Sequence, residues 1–92
     1  MADRPYRVEL ALAAGRQPAK LSADVQRRIV RALHALEVEP RPDGVQQLSG
    51  IRGAPQWRLR VGDYRVIYEI HDARLLVLVI RIGHRRDVYR MP

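Results

Sequence analysis

A chain of 92 residues with 47% hydrophobic side chains can build one compact core, so residues 1–92 are predicted to form a single domain. Cysteine is absent, which excludes disulfides and thiolate metal sites, and no apolar run approaches the roughly 18 residues of a membrane span, so a soluble cytoplasmic protein is expected. The formal net charge is +7 and all basic residues but Lys20 are arginine, which favours an anionic partner because guanidinium groups bind phosphate as a planar fork.

The N-terminal half predicts one strand followed by two helices. "YRVEL" (6–10) alternates apolar and charged side chains, the period of a half-buried strand. "ALAAGRQPAKL" (11–21) predicts a short helix broken by Gly15 and Pro18. A longer helix is capped by Ser22 and ends before "EPRPDG". Its apolar stripe consists of Leu21, Val25, Ile29, Leu33 and Leu36.

The C-terminal half predicts three strands. "VQQLSGIRGAPQ" (45–56) has no period and is expected to be an exposed connection anchored by Leu48. "WRLRV" and "YRVIYEI" flank Gly62-Asp63, a pair suited to a type II′ turn, and "LLVLVIRI" has the composition of a central strand. The order β-α-α-β-β-β predicts an α+β fold: a twisted, mainly antiparallel four-stranded sheet with an N-terminal helix pair packed on one face.

The predicted hairpin places two arginines opposite each other. A two-residue turn pairs Arg60 with Arg65 and puts Arg58 on the same sheet face, while the alternate positions form an apolar face. Directly opposed like charges are destabilising, so an anion between them is one explanation. Neutralisation by Glu69 or by another acidic residue of the chain is the other.

The segment "RIGHRRDVYR" (81–90) follows the apolar strand and concentrates side chains that suit phosphate chemistry. Arginines bind phosphate, histidine titrates near neutral pH, and a tyrosine can donate a proton or stack on a base. In other proteins such a tyrosine is more often an anchor on the core, and such a histidine a surface residue. The three histidines lack metal-ligand spacing, so no metal site is expected.

The run "WRLRVGDYRVIY" (57–68), an apolar strand and then "GHRRDVY" (83–89) resemble the RelE branch of the RelE/ParE toxin superfamily. The resemblance covers nearly the whole chain and is most specific in its C-terminal third. It implies a toxin of a type II toxin–antitoxin system that enters the ribosomal A site and cleaves mRNA without a metal or other cofactor. The implied partners are the ribosome, mRNA and a cognate antitoxin with an acidic or amphipathic wrapping segment.

The resemblance also implies roles for individual residues. Arg65, Arg85, Tyr89 and His84 correspond to catalytic positions, with His84 at a position where members vary in their basic residue. The implied RNA-binding residues are Arg58, Arg60, Arg81, Arg86 and Arg90. The implied reaction is attack of a ribose 2′-OH on the adjacent phosphate, which leaves a 2′,3′-cyclic phosphate and a 5′-OH. Arginines preorganised on a sheet would stabilise the phosphorane.

Departures from the family pattern leave two alternatives open. No carboxylate is obvious as a general base, with Asp87 and Glu69 the nearest candidates, and the chain ends three residues after Tyr89. Members that poison DNA gyrase share the fold but generally lack this arginine and tyrosine set. The alternatives are therefore a ParE-like gyrase poison and a non-catalytic basic RNA-binding or partner-binding module, including a degenerate toxin.

Overall fold

The computed structural model describes residues 5–11, 21–48 and 55–84. Within these ranges the chain forms five strands, one α-helix and a short 3₁₀ turn at Asp72–Arg74. We label the helix α1 (Ala23–Val38). The strands are β1 (Arg7–Leu10), β2 (Gln46–Leu48), β3 (Gln56–Val61), β4 (Tyr64–His71) and β5 (Leu76–His84).

The five strands form one mixed sheet in the order β1-β5-β4-β3-β2. β1 pairs with β5 in parallel and every other pairing is antiparallel, so the α+β class and the mainly antiparallel sheet are confirmed. The expected count of four strands is wrong. Part of the supposed connection is the short edge strand β2, whose Gln46, Gln47 and Leu48 pair with Arg58, Trp57 and Gln56. The predicted helix at 11–21 lies almost wholly outside the described residues.

Helix α1 begins after the predicted cap Ser22 and ends before the predicted loop "EPRPDG". The Ser22 side chain accepts a hydrogen bond from the Val25 backbone N–H at 3.2 Å, and the helix ends before Pro40. Ile29 and Leu36 of the predicted stripe are buried in the core, and its other three members pack against it from partly buried positions. The predicted boundaries and buried face of this helix are therefore confirmed.

The hairpin β3–β4 has the predicted register. Val61 pairs with Tyr64, and the pairing continues without interruption to Gln56 and Glu69. Gly62 has φ +59° whereas Asp63 has no positive φ, the combination that a type II′ turn requires. The predicted apolar face packs on the core through Trp57, Leu59, Val61, Tyr64, Val66 and Tyr68.

A β-bulge in β5 changes which side chains face the core. Ile67 pairs with Arg81 and the next residue, Tyr68, pairs with Val79, so Ile80 is the extra residue. Val79 and Ile82, three positions apart, are therefore both buried in the core, and Arg81 faces away from it. In a regular strand Arg81 would share the face of Val79.

Polar contacts connect the segment that follows α1 and the residue before β1 to β4 and the β4–β5 turn. The hydroxyl of fully buried Tyr68 donates to the Pro40 carbonyl at 2.8 Å, and burial raises the pKa of this phenol to about 12. Arg41 donates to both carboxylate oxygens of Asp72, at 2.7 and 3.3 Å, and Tyr6 donates to Asp72 Oδ1 at 2.5 Å. These contacts hold β1, the loop after α1 and the β4–β5 turn together. No helix in the described ranges is long and apolar enough to cross a membrane.

Candidate functional site

The sheet has two chemically different faces. One face carries the core cluster and packs on α1. The other is turned away from α1, and on β3, β4 and the end of β5 it carries four arginines at positions fixed by the strand register. We call it the basic face, and these four arginines are Arg58, Arg60, Arg65 and Arg81. Arg7 of β1 lies on the same face, paired with Glu9.

Arg60 and Arg65 lie directly opposite each other on neighbouring strands, as the sequence predicts. Arg60 is exposed, but Arg65 is only 8% exposed and is the one charged residue among the buried side chains of the described chain. Arg65 Nη1 donates to the carbonyl of Tyr64 at 3.3 Å. A guanidinium keeps its charge when buried, so this pair concentrates positive charge at one point of the sheet.

The arginines of the basic face form two rows that run across the strands. In one row Arg58 and Arg81 lie on either side of Ile67. In the next row Arg60, Arg65 and Gly83 are neighbours, and Gly83 contributes no side chain on that side of Arg65. The rows lie two residues apart, about 7 Å along the strand, a spacing across which several guanidinium groups can reach one phosphodiester.

Arg58 is held by the edge strand that the sequence did not predict. Its Nη2 donates to the side-chain oxygen of Gln46, the residue opposite it on β2. The pairing fixes one guanidinium nitrogen of a long, flexible side chain. Less side-chain conformational entropy is therefore lost when a ligand binds Arg58. Gln46 was missed as a contributor because the three residues of this edge strand, two glutamines and a leucine, carry no clear period in the sequence.

His84 lies on the opposite face of the sheet from Arg65. It pairs with Tyr64 in the ladder, and the two rings meet edge to face with centroids 5.5 Å apart. Tyr64 belongs to the apolar face that packs on the core. The structure thus brings together Arg58, Arg60, Arg65 and Arg81 and separates His84 from them.

Beyond the arginines, β4 continues the basic face with an acidic and an aromatic side chain. Glu69 and His71 follow Arg65 and Ile67 at alternate positions, and Glu69 Oε1 lies 2.8 Å from His71 Nε2. His71 is the last residue of β4, one residue beyond the predicted strand "YRVIYEI". The alternate positions Arg65, Ile67, Glu69 and His71 in the sequence could have indicated that Glu69 and His71 share the face of Arg65.

The other predicted site residues follow β5. Arg85, Arg86, Asp87, Tyr89 and Arg90 lie outside the described residues, and their roles stay predictions. Within the described ranges no three His, Asp or Glu side chains come together as a possible metal site.

Comparison with known proteins identifies the family. Residues 8–89 match the family described as the ParE toxin of the type II toxin–antitoxin system parDE. The toxin RelG of Mycobacterium tuberculosis is 32% identical over 87 residues, which cover 94% of this chain and 98% of RelG.

Solved structures agree with this assignment. The RelE–RelB complex of Pyrococcus horikoshii contains a chain that matches with a TM-score of 0.79 and 28% identity, over 90% of this chain and 98% of that chain. The toxin–antitoxin complex RelBE2 of Mycobacterium tuberculosis gives a TM-score of 0.75 and 28% identity, over 88% and 99% of the two chains. The chain therefore belongs to the RelE/ParE superfamily and is a toxin of a type II toxin–antitoxin system.

Proposed function

We propose that this toxin is a ribosome-dependent endoribonuclease that cleaves mRNA in the A site and so stops translation. The observation that carries the proposal is the opposition of Arg60 and Arg65 on a sheet face that also holds Arg58 and Arg81. An RNA phosphate is the partner that makes such a charge arrangement favourable, and functional sites often depart from local stability rules in this way. The RelE and RelG names of the relatives support the same branch.

In the proposed reaction the ribose 2′-oxygen attacks the adjacent phosphorus. The 2′-O–P bond forms, the P–O5′ bond breaks, the 2′-OH proton leaves to solvent or a base, and the 5′-oxygen takes up a proton. The products are a 2′,3′-cyclic phosphate and a 5′-OH, without a metal. Arg65 and Arg60 stabilise the charge on the phosphorane, because guanidinium groups fixed on a rigid sheet need little reorganisation. Arg58 and Arg81 hold the neighbouring backbone.

The proposal also gives roles to the residues that follow β5. Arg85 is assigned to the scissile phosphate together with Arg65, and Tyr89 is assigned to the leaving group or to stacking on a base. Arg86 and Arg90 extend the RNA contact. His84 keeps its proposed catalytic assignment, although its pairing with Tyr64 requires it to act from the end of β5, on the face opposite Arg65.

The proposed partners are translating ribosomes, mRNA and a cognate antitoxin in the cytoplasm. The solved relatives are described as complexes of RelE with RelB. On this chain Leu10 and Val30 are about half exposed, and Arg27 and Arg31 lie near Val30 on α1. An amphipathic antitoxin segment with acidic side chains would cover the apolar groups and pair with the arginines.

A second candidate function is inhibition of DNA gyrase, because the matching family is described as the ParE toxin. The two candidates predict different consequences of inducible expression. We expect 5′-end mapping of a translated message to show cuts in codon register that require translation and disappear in Arg65→Ala. Arg27→Ala is the matched control, since Arg27 is exposed on α1, away from the basic face, and lies 3.8 Å from Asp24.

Growth arrest without such cuts, together with inhibited supercoiling by the purified toxin, would replace the nuclease with a gyrase poison. Absence of both effects would indicate a non-catalytic binding module. Circular dichroism of Arg65→Ala must match that of the wild type, because loss of folding would make Arg65 a structural residue.

A further inference from the structure

At the C-terminal end of β4 the basic face carries a hydrogen-bonded pair, Glu69 and His71, that has no part in the proposed cleavage reaction. Glu69 Oε1 lies 2.8 Å from His71 Nε2, and the two side chains are 19% and 28% exposed. Both project from β4 on the same face as Arg65. The pair is therefore preorganised and still accessible to a ligand lying along the strand.

Glu69 is not neutralised by the arginines of its own face. Within the described ranges its hydrogen-bond partner is His71, and no arginine lies within 4.0 Å of its carboxylate. A carboxylate has two oxygens and about four acceptor positions, so the contact with one imidazole nitrogen leaves acceptor capacity unused. The contact also fixes the orientation of the carboxylate, as a recognition group requires.

The distance along β4 separates this pair from the scissile phosphate. Four strand residues span about 13 Å, so a phosphate held by Arg65 is beyond hydrogen-bond reach of Glu69. A carboxylate also repels phosphate. The RNA groups that can bind Glu69 are therefore hydrogen-bond donors: the ribose 2′-OH, which every nucleotide carries, or the N–H groups of a base edge. Only the base edge can distinguish one nucleotide from another.

Resting on the proposed function, we infer that Glu69, held by His71, recognises the Watson–Crick edge of one unpaired RNA base at a position away from the cut. Guanine fits best, because its N1–H and N2–H are parallel donors that match the two oxygens of one carboxylate. Uracil fits worst, since its one N–H lies between two carbonyl oxygens that repel the carboxylate.

Binding to RNA that cannot be cleaved tests the inference separately from catalysis. The probes are 2′-O-methyl uridine heptamers with a single guanosine placed at each position in turn, measured by fluorescence anisotropy with the full-length toxin. We expect one guanosine position to bind about tenfold more tightly than the all-uridine heptamer. In Glu69→Gln this ratio is expected to fall below about twofold, while the all-uridine heptamer still binds.

Glu9→Gln is the matched control. Glu9 lies on the same sheet face, two strands from Glu69, and forms an ion pair with Arg7 at 2.8 Å. We expect it to keep the guanosine preference. His71→Ala is expected to weaken the preference without removing it, because the carboxylate remains but is less well oriented.

Equal binding of all heptamers, no binding of any, or an unchanged ratio in Glu69→Gln would overturn the inference. The cleavage experiment tests the proposed function separately. If the wild type makes no cuts in translated mRNA, the nuclease proposal fails while the anisotropy ratio still decides the role of Glu69. If the toxin cleaves and the ratio is flat, the nuclease stands and Glu69 with His71 only fixes the end of β4.

Discussion

Arg60 on β3 and Arg65 on β4 are directly opposed in an antiparallel ladder, the first exposed and the second 8% exposed. Two like charges at such positions lower the stability of the sheet. The neighbouring row adds Arg58 and Arg81 rather than acids. In the proposed function the basic face binds an RNA phosphate at a cost in folding free energy, so mutation should separate its stability from its function.

Replacing Arg60 with threonine is expected to stabilise the fold and weaken RNA cleavage. Removing one of two opposed charges should raise the free energy of unfolding by roughly 0.2–1 kcal/mol, and threonine suits a strand. The gain should shrink in about 1 M salt, because the repulsion is screened. Urea denaturation at low and high salt measures both effects.

Arg58→Thr is the control on the same strand and face. Arg58 lies opposite Ile67 and donates to Gln46, so its removal relieves no opposed charge. We expect it to lower stability slightly while also weakening cleavage. Equal stabilisation by both variants would mean that the effect comes from strand propensity or net charge rather than from the Arg60 and Arg65 pair.

The β-bulge at Ile80 predicts that substitutions at two neighbouring residues, Arg81 and Ile82, lower stability by different amounts. Ile82 is 3% exposed in the core, so Ile82→Ala should cost about 2–4 kcal/mol of unfolding free energy. Arg81 faces away from the core, so Arg81→Ala should cost less than about 1 kcal/mol while reducing RNA binding. Chemical denaturation of the two variants measures both losses of unfolding free energy. A larger loss for Arg81→Ala than for Ile82→Ala would mean that β5 is regular.

The buried phenol of Tyr68 predicts a loss of stability at high pH. Its pKa is raised to about 12 in the folded state, against about 10 in the unfolded state. Between about pH 10 and pH 12 the phenol of Tyr68 therefore ionises mainly in the unfolded chain. Stability from the neutral phenol is complete below about pH 10 and falls by roughly 2 kcal/mol by about pH 12. Denaturation from neutral pH to about pH 12 of wild type and Tyr68→Phe checks this.

At neutral pH the wild type should be more stable than Tyr68→Phe by about 1 kcal/mol, because the variant loses the hydrogen bond to Pro40. The two stability curves should cross between about pH 10 and pH 12, since phenylalanine cannot ionise. Curves that stay parallel would show that Tyr68 is not protected from ionisation by burial.

The contact between Asp72 and Arg41 predicts a loss of stability at low pH. Hydrogen bonds from Arg41, and then from Tyr6, lower the pKa of Asp72 below its ordinary value. The stabilisation is complete above the unfolded pKa, about 3.9, and is lost as the pH falls through the lower folded value. Denaturation midpoints from about pH 6 to pH 2 should therefore fall more for wild type than for Asp72→Asn.

Asp63→Asn is the matched control for the loss of one negative charge, because Asp63 lies at the hairpin tip and has no ion pair within the described ranges. If Asp63→Asn changes the acid dependence as much as Asp72→Asn does, net charge rather than the Arg41 contact is responsible.

The position of His84 predicts a smaller catalytic effect than that of Arg65. His84 meets Tyr64 edge to face on the side of the sheet that packs on the core. We expect His84→Ala to lower cleavage by about tenfold, below the usual contribution of a positioned acid or base, while Arg65→Ala abolishes it. A loss in His84→Ala as complete as that in Arg65→Ala, with unchanged folding, would give His84 a direct part in the chemistry.

Local patterns in the sequence were sufficient for α1 and for the hairpin β3–β4. Ser22 and the apolar stripe from Leu21 to Leu36 define a helix within one stretch of chain. Gly62-Asp63 fixes the pairing of Arg60 with Arg65 through a two-residue turn, so this part of the candidate site could be predicted residue by residue. Both features depend on contacts between residues close in sequence.

Features that depend on distant contacts were missed. Strand β2 has only three residues and is stabilised by pairing with β3, so its own sequence carries too little signal. The bulge at Ile80 depends on how β5 packs on β4 and the core, and it alone puts Arg81 beside Ile67 on the basic face. The same register moves His84 to the other face.

The sequence by itself determined the superfamily resemblance, the positive net charge, the helix α1 and the opposed arginines, because caps, turns and periodicity act over a few residues. The tertiary structure alone decided the fifth strand, the face of Arg81 and His84, and the pairing of Glu69 with His71 at the end of β4. These outcomes depend on which register and which bulge bury the most apolar surface across the whole sheet, a balance that no single segment contains.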